Sequence, residues 1–183
     1  MTLILFLSAL LLEFLYIVLF ILTIRLPGFR FWPPPSARSW QFFTTWLIAG
    51  IVTVEFFFVG LLDFDSAILP SLKTRFPLAL LCFIVGMSLG TWAGRAFGFR
   101  ATLGLGDRLV TRGPYRYSRN PQYLGDSLSI LGYMVLTNSW MVGAIGLLGV
   151  ILNLLAPFTE EPWLEERFED DYREYKRRVP RFL

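Results

Sequence analysis

A long apolar segment at the start of the chain restricts the folds that the chain can adopt. From Leu3 to Ile24 the only charged residue is Glu13. About 20 consecutive apolar residues are enough for a helix to cross a hydrocarbon core of about 30 Å. A cleavable signal peptide is the alternative, but no basic region precedes the segment and no small-residue cleavage site follows it. We therefore expect a retained membrane helix.

Four further apolar segments follow the first. They are separated by proline, glycine, asparagine or charged clusters, and 55% of all residues are hydrophobic. The sequence therefore predicts an all-α integral membrane protein with about five transmembrane segments in a single domain, residues 1–183. The last two segments are joined by only three residues, which predicts a tight helical hairpin that is tilted or only partly crosses the bilayer. The four segments cover approximately residues 40–62, 78–96, 123–136 and 140–158.

The basic residues are distributed unevenly among the predicted loops. With five spans, 15 of the 17 lysines and arginines lie on one side, and only Lys73 and Arg75 lie on the other. Basic residues are retained in cytoplasmic loops, so we expect the N-terminus outside and the C-terminus in the cytoplasm. In the tail the basic residues alternate with acids, and contact with lipid head groups explains them better than nucleic acid binding.

The residue types that are absent exclude several kinds of chemistry. The chain has no histidine, and Cys82 is its one cysteine. Tetrahedral zinc sites, haem ligation and a Ser-His-Asp triad are therefore not expected. No Walker sequence occurs, and the glycines at 104 and 106 do not follow a strand. We expect no metal, and any cofactor must occupy a site that is not a dinucleotide-binding fold.

A polar stretch between the third and fourth segments carries the strongest functional signal. From Thr111 to Gly125 it combines arginine and tyrosine side chains with two prolines. Gly113-Pro114 and Asn120-Pro121 each force a turn or an extended step, so a rigid polar loop is expected. This loop is interpreted as a binding site at the membrane surface.

A second polar cluster follows the fifth segment and is typical of an amphipathic helix that ends at Pro180. Pro162 suits its first turn, and acids early and bases late fit the helix dipole. Its aromatic and apolar side chains recur at helical spacing on one face: Trp163, Leu164, Phe168, Tyr172 and Tyr175.

The predicted hairpin places the two polar clusters side by side. Carboxylates at a membrane boundary are costly unless they are paired or solvated. We therefore expect Glu160 and Glu161 to face Arg116, Arg119 or a cationic ligand. A salt-bridge cluster with a purely structural role is the alternative.

The two clusters together resemble a known superfamily. GPYRYSRNPQYLG from Gly113 to Gly125, followed by EExxLxxxFxxxYxxYxxxVPR from Glu160 to Arg181, is similar to the isoprenylcysteine carboxyl methyltransferase and phospholipid methyltransferase superfamily. The resemblance implies a membrane enzyme that uses S-adenosylmethionine and methylates a lipid or lipid-linked acceptor. Residues 101–183 would then carry the cofactor motifs, and residues 1–100 would be membrane helices that shape the acceptor entrance.

The resemblance also implies roles for individual residues. Arg119 would pair with the cofactor carboxylate, unless it only anchors the loop to anionic lipid, and Asn120 would replace a histidine of the isoprenylcysteine enzymes. Asp126 or a glutamate would accept the proton of an amine acceptor. Arg119, Asn120 and Asp126 are thus the candidate catalytic residues. The candidate cofactor-binding residues are Leu109, Val110, Thr111, Gly113, Asn120, Pro121, Tyr123, Glu160 and Glu161.

Two departures from the superfamily pattern leave the acceptor open between a prenylcysteine carboxylate and a phospholipid amine. Asn120-Pro-Gln-Tyr123 is similar to the phosphatidylethanolamine methyltransferases, whereas the tail resembles the isoprenylcysteine branch. That branch usually has Phe-Gly where this chain has Phe168-Glu169.

Other functions remain as alternatives. The stretch from Asn120 to Asp126 also resembles membrane sterol reductases that bind a nicotinamide cofactor such as NADPH. A non-enzymatic membrane scaffold or small transporter is the third interpretation. Glu13 and Glu55 lie within apolar segments, where ionisable residues are candidates for function by default, but neither is assigned to the predicted site.

Overall fold

The computed structural model describes residues 1–67 and 71–183. In these residues the regular structure is helical and no strand occurs, which confirms the all-α prediction. The helices are α1 (Thr2–Arg25), α2 (Trp40–Leu62), α3 (Leu72–Phe97), the short α4 (Phe99–Thr102), α5 (Pro121–Thr137) and α6 (Trp140–Arg178), with a 3₁₀ turn at Gly113–Arg116.

The five predicted membrane segments correspond to the five long helices. Within the described residues, α1, α2, α3 and α6 are long and apolar enough to cross a membrane. The 17 residues of α5 extend over about 25 Å, less than the thickness of a hydrocarbon core. The chain is thus an integral membrane protein in which α5 is the short member of the predicted hairpin.

Small residues determine how closely the helices approach one another. α3 packs along α5, α1 packs against α2 and α6, and α5 packs against α6. A Cβ atom on Gly125 would lie 2.6 Å from the backbone nitrogen of Gly90, and one on Gly132 would lie 2.9 Å from the carbonyl oxygen of Ala79. Only glycine permits this backbone contact between α3 and α5, as is common between membrane helices.

The hairpin turn between α5 and α6 is capped on both sides. Asn138 adopts φ 48° and ends α5, and the Ser139 hydroxyl begins α6 by accepting a hydrogen bond from the Val142 N–H. Asn138 Nδ2 donates to Asp65 Oδ1 at 2.7 Å, and this hydrogen bond, with the nearby charge of Arg75, lowers the pKa of Asp65. The turn is therefore fixed to the connection that follows α2.

The predicted tail helix is present but is continuous with the fifth segment. Pro157 and Pro162 both lie inside α6, where each proline removes one backbone hydrogen bond and favours a bend. The interruption comes later, at Glu169, which has the non-helical angles φ 44° and ψ −119°. The amphipathic part of α6 thus bends back toward the polar loop before α5.

Candidate functional site

A cavity of about 340 Å³ lies inside the bundle, within the size range of small-molecule sites. It extends from Glu161 and the tail, which we call its polar end, to Glu13 in the middle of α1, which we call its deep end. Helices α1, α2, α5 and α6 form its walls. At the polar end the segment around Leu109 and Val110 completes the lining.

Arg119 and Glu161 form the centre of the polar end. Arg119 Nη2 donates to Glu161 Oε1 at 2.7 Å, and both side chains are almost completely buried. Arg181 donates to both carboxylate oxygens of Glu161 at 2.8 Å. This hydrogen bonding to Glu161 raises the pKa of Arg181. The predicted proximity of the two polar clusters is thus confirmed, and a second arginine joins them.

The end of the chain is attached to the turn that precedes α5. The Arg119 N–H donates to the Pro180 carbonyl oxygen at 2.9 Å, and Asn120 Nδ2 donates to the Arg181 carbonyl oxygen at 2.9 Å. Arg119 Nη1 also donates to the carbonyl oxygens of Lys176 and Val179. These contacts close the polar end from the tail side.

Glu160 points in a different direction from its neighbour Glu161. Its Oε1 atom accepts hydrogen bonds from the Tyr123 hydroxyl and from Trp32 Nε1. Adjacent residues on a helix project about 100° apart, so the pair Glu160-Glu161 reaches two separate sets of partners. Glu160 connects α6 both to α5 and to the segment after α1.

The aromatic face of the tail forms one wall of the polar end. Tyr172 and Tyr175 are only 1% and 4% exposed, and both line the cavity with Phe168. The Tyr175 hydroxyl donates to the Tyr115 carbonyl oxygen at 2.7 Å. Burial, and secondarily the charge of Glu160, raise the pKa of Tyr115, so these tyrosines remain neutral.

Most of the predicted site residues line the cavity. These are Leu109, Val110, Arg119, Asn120, Tyr123, Asp126, Glu160 and Glu161. Thr111, Gly113 and Pro121 are absent from the lining. Gly113 has φ 63° and lies against Ala96 and Trp92, where its backbone conformation supports the loop, and Pro121 is the buried first residue of α5.

Asp126 lies away from the Arg119 cluster. It is one helical turn beyond Tyr123 on α5, toward the deep end, and its Oδ1 atom would be 3.6 Å from a Cβ on Gly90. Within residues 1–67 and 71–183, no three acidic or cysteine side chains come together in a way that could hold a metal ion.

The sequence analysis did not assign several residues of the cavity region to the site, among them Trp32, Arg181 and Glu13. Trp32 and Arg181 contact the two glutamates, and Glu13 lines the deep end. Arg181 lies in the VPR motif, and Glu13 is a charged residue within an apolar helix, so the sequence marked both positions as unusual. Nothing in the local sequence around Trp32 indicates its hydrogen bond to a glutamate more than 100 residues away.

Comparison with known proteins agrees with the superfamily resemblance. The chain is 29% identical over 133 residues to phosphatidylethanolamine N-methyltransferase B of Dictyostelium discoideum, covering 68% of this chain and 66% of that protein. It is 37% identical over 112 residues to the cobalt-zinc-cadmium resistance protein CzcN of Cupriavidus metallidurans, covering 58% and 50%. It is 31% identical over 111 residues to steroid 5-alpha-reductase DET2 of Solanum lycopersicum, covering 60% and 42%.

The chain therefore spans less than two thirds of the length of each of these relatives. No solved structure matches it. The phospholipid methyltransferase family matches residues 74–171, a region that contains most of α3, all of α5, most of α6 and both glutamates of the polar end. Because this match covers more than half of the chain, the protein belongs to the phospholipid methyltransferase family.

Proposed function

We propose that this protein is an S-adenosylmethionine-dependent methyltransferase that acts on a lipid or lipid-linked acceptor within the membrane. The observation that carries the proposal is the polar end of the cavity. There the two motifs of the superfamily resemblance meet through the Arg119–Glu161 ion pair, beside a chamber that continues into the bundle.

The residues at the polar end suit the chemical groups of the cofactor. Arg119 Nε is buried and has no hydrogen-bond partner among the described residues, so it can donate to a carboxylate. Glu160 and Glu161 would hold the ammonium or the ribose hydroxyls. The backbone near Leu109 and Val110, which lines the cavity, would contact the adenine.

When bound, the cofactor would supply a methyl group on a sulfonium: a bond would form from the acceptor to that carbon as the carbon–sulfur bond breaks, and the electron pair would stay on sulfur. The role of the protein is to align the groups and to exclude water. Tyr172 and Phe168 form an aromatic wall that attracts a cation. Asp126, which also lines the cavity, would accept a proton from an acceptor that carries an N–H.

The acceptor would reach the cavity from the bilayer. α2 and α5 both line the cavity, through Thr53 and Ile130. Beyond the deep end the Tyr133 hydroxyl joins these helices by donating to the Phe57 carbonyl oxygen at 2.9 Å. A lipid head group would enter between these helices above the Tyr133 contact. The polar end would face the cytoplasm, because most basic residues lie on that side.

A reductase is the second candidate, supported by the similarity to steroid 5-alpha-reductase DET2. A scaffold or transporter without a cofactor is the third. The three candidates differ in what the polar end binds: S-adenosylmethionine in the methyltransferase, NADPH in the reductase and no cofactor in the scaffold or transporter.

Calorimetry with detergent-purified protein distinguishes these candidates. We expect saturable binding of S-adenosylmethionine and no binding of NADPH. Glu161→Ala and Arg119→Ala should each weaken binding at least tenfold, the size of a charged hydrogen bond. Glu166→Ala is the matched control, because Glu166 is an exposed acid on the same helix outside this cavity. Binding of NADPH alone would favour the reductase, and binding of neither by folded protein would favour the scaffold.

A further inference from the structure

Trp32 contacts Glu160 from a part of the chain far from the cofactor motifs. It lies in the connection between α1 and α2, before the region that the family matches, and only 8% of it is exposed. Its Nε1 atom donates to Glu160 Oε1 and lies 3.2 Å from the Tyr123 hydroxyl oxygen. Because an indole N–H can only donate, the contact requires the acceptor oxygen of Glu160 to lie in front of this ring.

The position of the Trp32 ring is itself fixed by its surroundings. The backbone N–H of the adjacent Phe31 donates to the Thr23 hydroxyl of α1 at 3.0 Å. On another side, a Cβ atom at Gly104 would lie 2.7 Å from Trp32 Cη2 and 2.7 Å from Pro34 Cδ. Gly104 has φ 77°, so glycine permits both this turn and the close approach. The indole therefore cannot move away from Glu160 without breaking one of these contacts.

Glu160 keeps one carboxylate oxygen free. Its Oε1 atom accepts from both Trp32 and Tyr123, whereas its Oε2 atom has no hydrogen bond to any described residue. Glu160 lines the cavity and is only partly buried. With Oε1 fixed by two donors of the protein, Oε2 is the atom that can accept from a ligand.

The two glutamates of the polar end differ in the charge of their partners. Glu161 is paired with Arg119 and Arg181. Glu160 forms no ion pair among the described residues, and both of its donors are neutral. A carboxylate that lines a cavity without a cationic partner favours a cationic ligand group over a neutral one. Of the two cofactor groups considered above, the ammonium therefore suits Glu160 better than the ribose hydroxyls.

We propose that Trp32 is a positioning residue, which holds Glu160 through Oε1 so that Oε2 is free to accept from the ammonium of the cofactor. The proposal rests on the proposed function and deepens it, because it assigns a role in cofactor binding to the segment before the matched family region. A carboxylate that is already oriented loses less freedom when the ligand binds, so its contact contributes more to affinity.

A double-mutant cycle tests whether Trp32 acts through Glu160. The probe is S-adenosylhomocysteine, which carries the same ammonium, added to the whole chain in detergent and followed by calorimetry. Trp32→Phe removes the N–H and keeps an aromatic ring, and we expect about tenfold weaker binding. Glu160→Ala should weaken binding at least as much. Adding Trp32→Phe to Glu160→Ala should cause no further loss, because the carboxylate that Trp32 holds is then absent.

A second ligand separates this role from a general disturbance of the cavity. 5′-Methylthioadenosine lacks the amino acid end of the cofactor, so Trp32→Phe should leave its affinity unchanged. Trp40→Phe is the matched control, because Trp40 is 55% exposed and absent from the cavity lining. This control should bind both ligands as the wild type does.

Gly104→Ala replaces Trp32→Phe if that variant does not fold, because its Cβ would displace the same ring. Its control is Gly98→Ala. Gly98 also has a positive φ, 91°, but the nearest atom to a Cβ there is Arg108 Nη2 at 3.8 Å. We expect about tenfold weaker binding of S-adenosylhomocysteine to Gly104→Ala than to Gly98→Ala.

Unchanged affinity of Trp32→Phe for S-adenosylhomocysteine would overturn the proposal. Equal losses for both ligands would overturn it too, as would losses that add in the double variant. Should only Gly104→Ala fold, equal affinities of Gly104→Ala and Gly98→Ala would have the same meaning. Failure of the wild type to bind S-adenosylmethionine would reject the methyltransferase itself, whereas normal binding by the wild type and by Trp32→Phe would reject only the positioning role.

Discussion

Arg119 Nη2 lies 2.7 Å from Glu161 Oε1, and this buried ion pair joins the turn before α5 to the middle of α6. A buried pair is costly to form unless further hydrogen bonds satisfy both groups. Arg181 supplies two of these to the carboxylate, and the carbonyl oxygens of Lys176 and Val179 accept from the guanidinium. The pair therefore depends on the docked end of the chain.

Replacing Arg181 should release that end. Arg181→Ala removes both hydrogen bonds to Glu161 and the contact of the guanidinium with the Phe158 ring at 4.0 Å. Because Arg181 is partly exposed, we expect a loss of about 1–2 kcal/mol. The loss should be visible as a lower thermal midpoint in detergent and as faster proteolysis after residue 170.

Arg178→Ala is the control for this change. Arg178 pairs with Glu174 at 3.5 Å, and both side chains are exposed. Such pairs contribute little to stability. Equal thermal midpoints for Arg178→Ala and Arg181→Ala would contradict the proposed role of the docked end.

The backbone at Glu169 is the next testable feature. Its φ of 44° with ψ of −119° is a conformation that glycine adopts without strain and other residues do not. We expect Glu169→Gly to stabilise the protein by about 1 kcal/mol, measured by thermal unfolding in detergent.

The same substitution elsewhere in the tail should have the opposite effect. Glu174→Gly places glycine in a helical part of α6, where it costs up to about 1 kcal/mol. If both substitutions lowered the thermal midpoint, the result would contradict the non-helical backbone conformation at Glu169.

The close approach of α3 and α5 predicts a strong effect of a single methyl group. In Gly132→Ala the new Cβ would lie 2.9 Å from the Ala79 carbonyl oxygen and 3.0 Å from the Phe83 nitrogen. The helices must separate, and we expect a loss of about 1–3 kcal/mol as in other overpacked sites. Gly143→Ala, which has nothing within 4 Å, should be neutral or slightly stabilising. Equal thermal midpoints for the two variants would contradict the predicted packing.

The sequence predicted the parts of the site that depend on local connectivity. Only three residues separate the last two predicted segments, so the start of α5 and the polar part of α6 must be neighbours, and Arg119 and Glu161 were expected to meet. The sequence did not predict that Glu160 and Glu161 contact different partners, because those contacts depend on how α6 is rotated relative to α5. That rotation is determined by packing around Tyr123 and Trp32.

The deep end of the cavity was even less accessible to sequence analysis. Glu13 is recognisable as an unusual charge in an apolar helix. Which residues of α6 lie opposite Glu13 depends on the register between α1 and α6. That register follows from the close contact at Gly149, a glycine among several in the same helix. A single sequence carries no information about which of these glycines faces α1.

The orientation of the protein in the membrane gives the last prediction. The loop after α1 and the connection after α2 lie at opposite ends of α2, and the basic residues favour the first of these on the cytoplasmic side. Ser36 and Ser71 are exposed, one in each connection, so Ser36→Cys and Ser71→Cys are matched probes. Both are made in a Cys82→Ala background, which removes the natural cysteine.

We expect a membrane-impermeant maleimide added to sealed right-side-out vesicles to label Ser71→Cys and not Ser36→Cys. Inside-out vesicles should give the reverse pattern, and solubilised protein should show labelling of both. Labelling of Ser36→Cys from outside would show the opposite topology. The polar end of the cavity, with Arg119 and Glu161, would then lie on the side away from cytoplasmic S-adenosylmethionine. That result would contradict the proposed function as well as the orientation, so the same two cysteines test both.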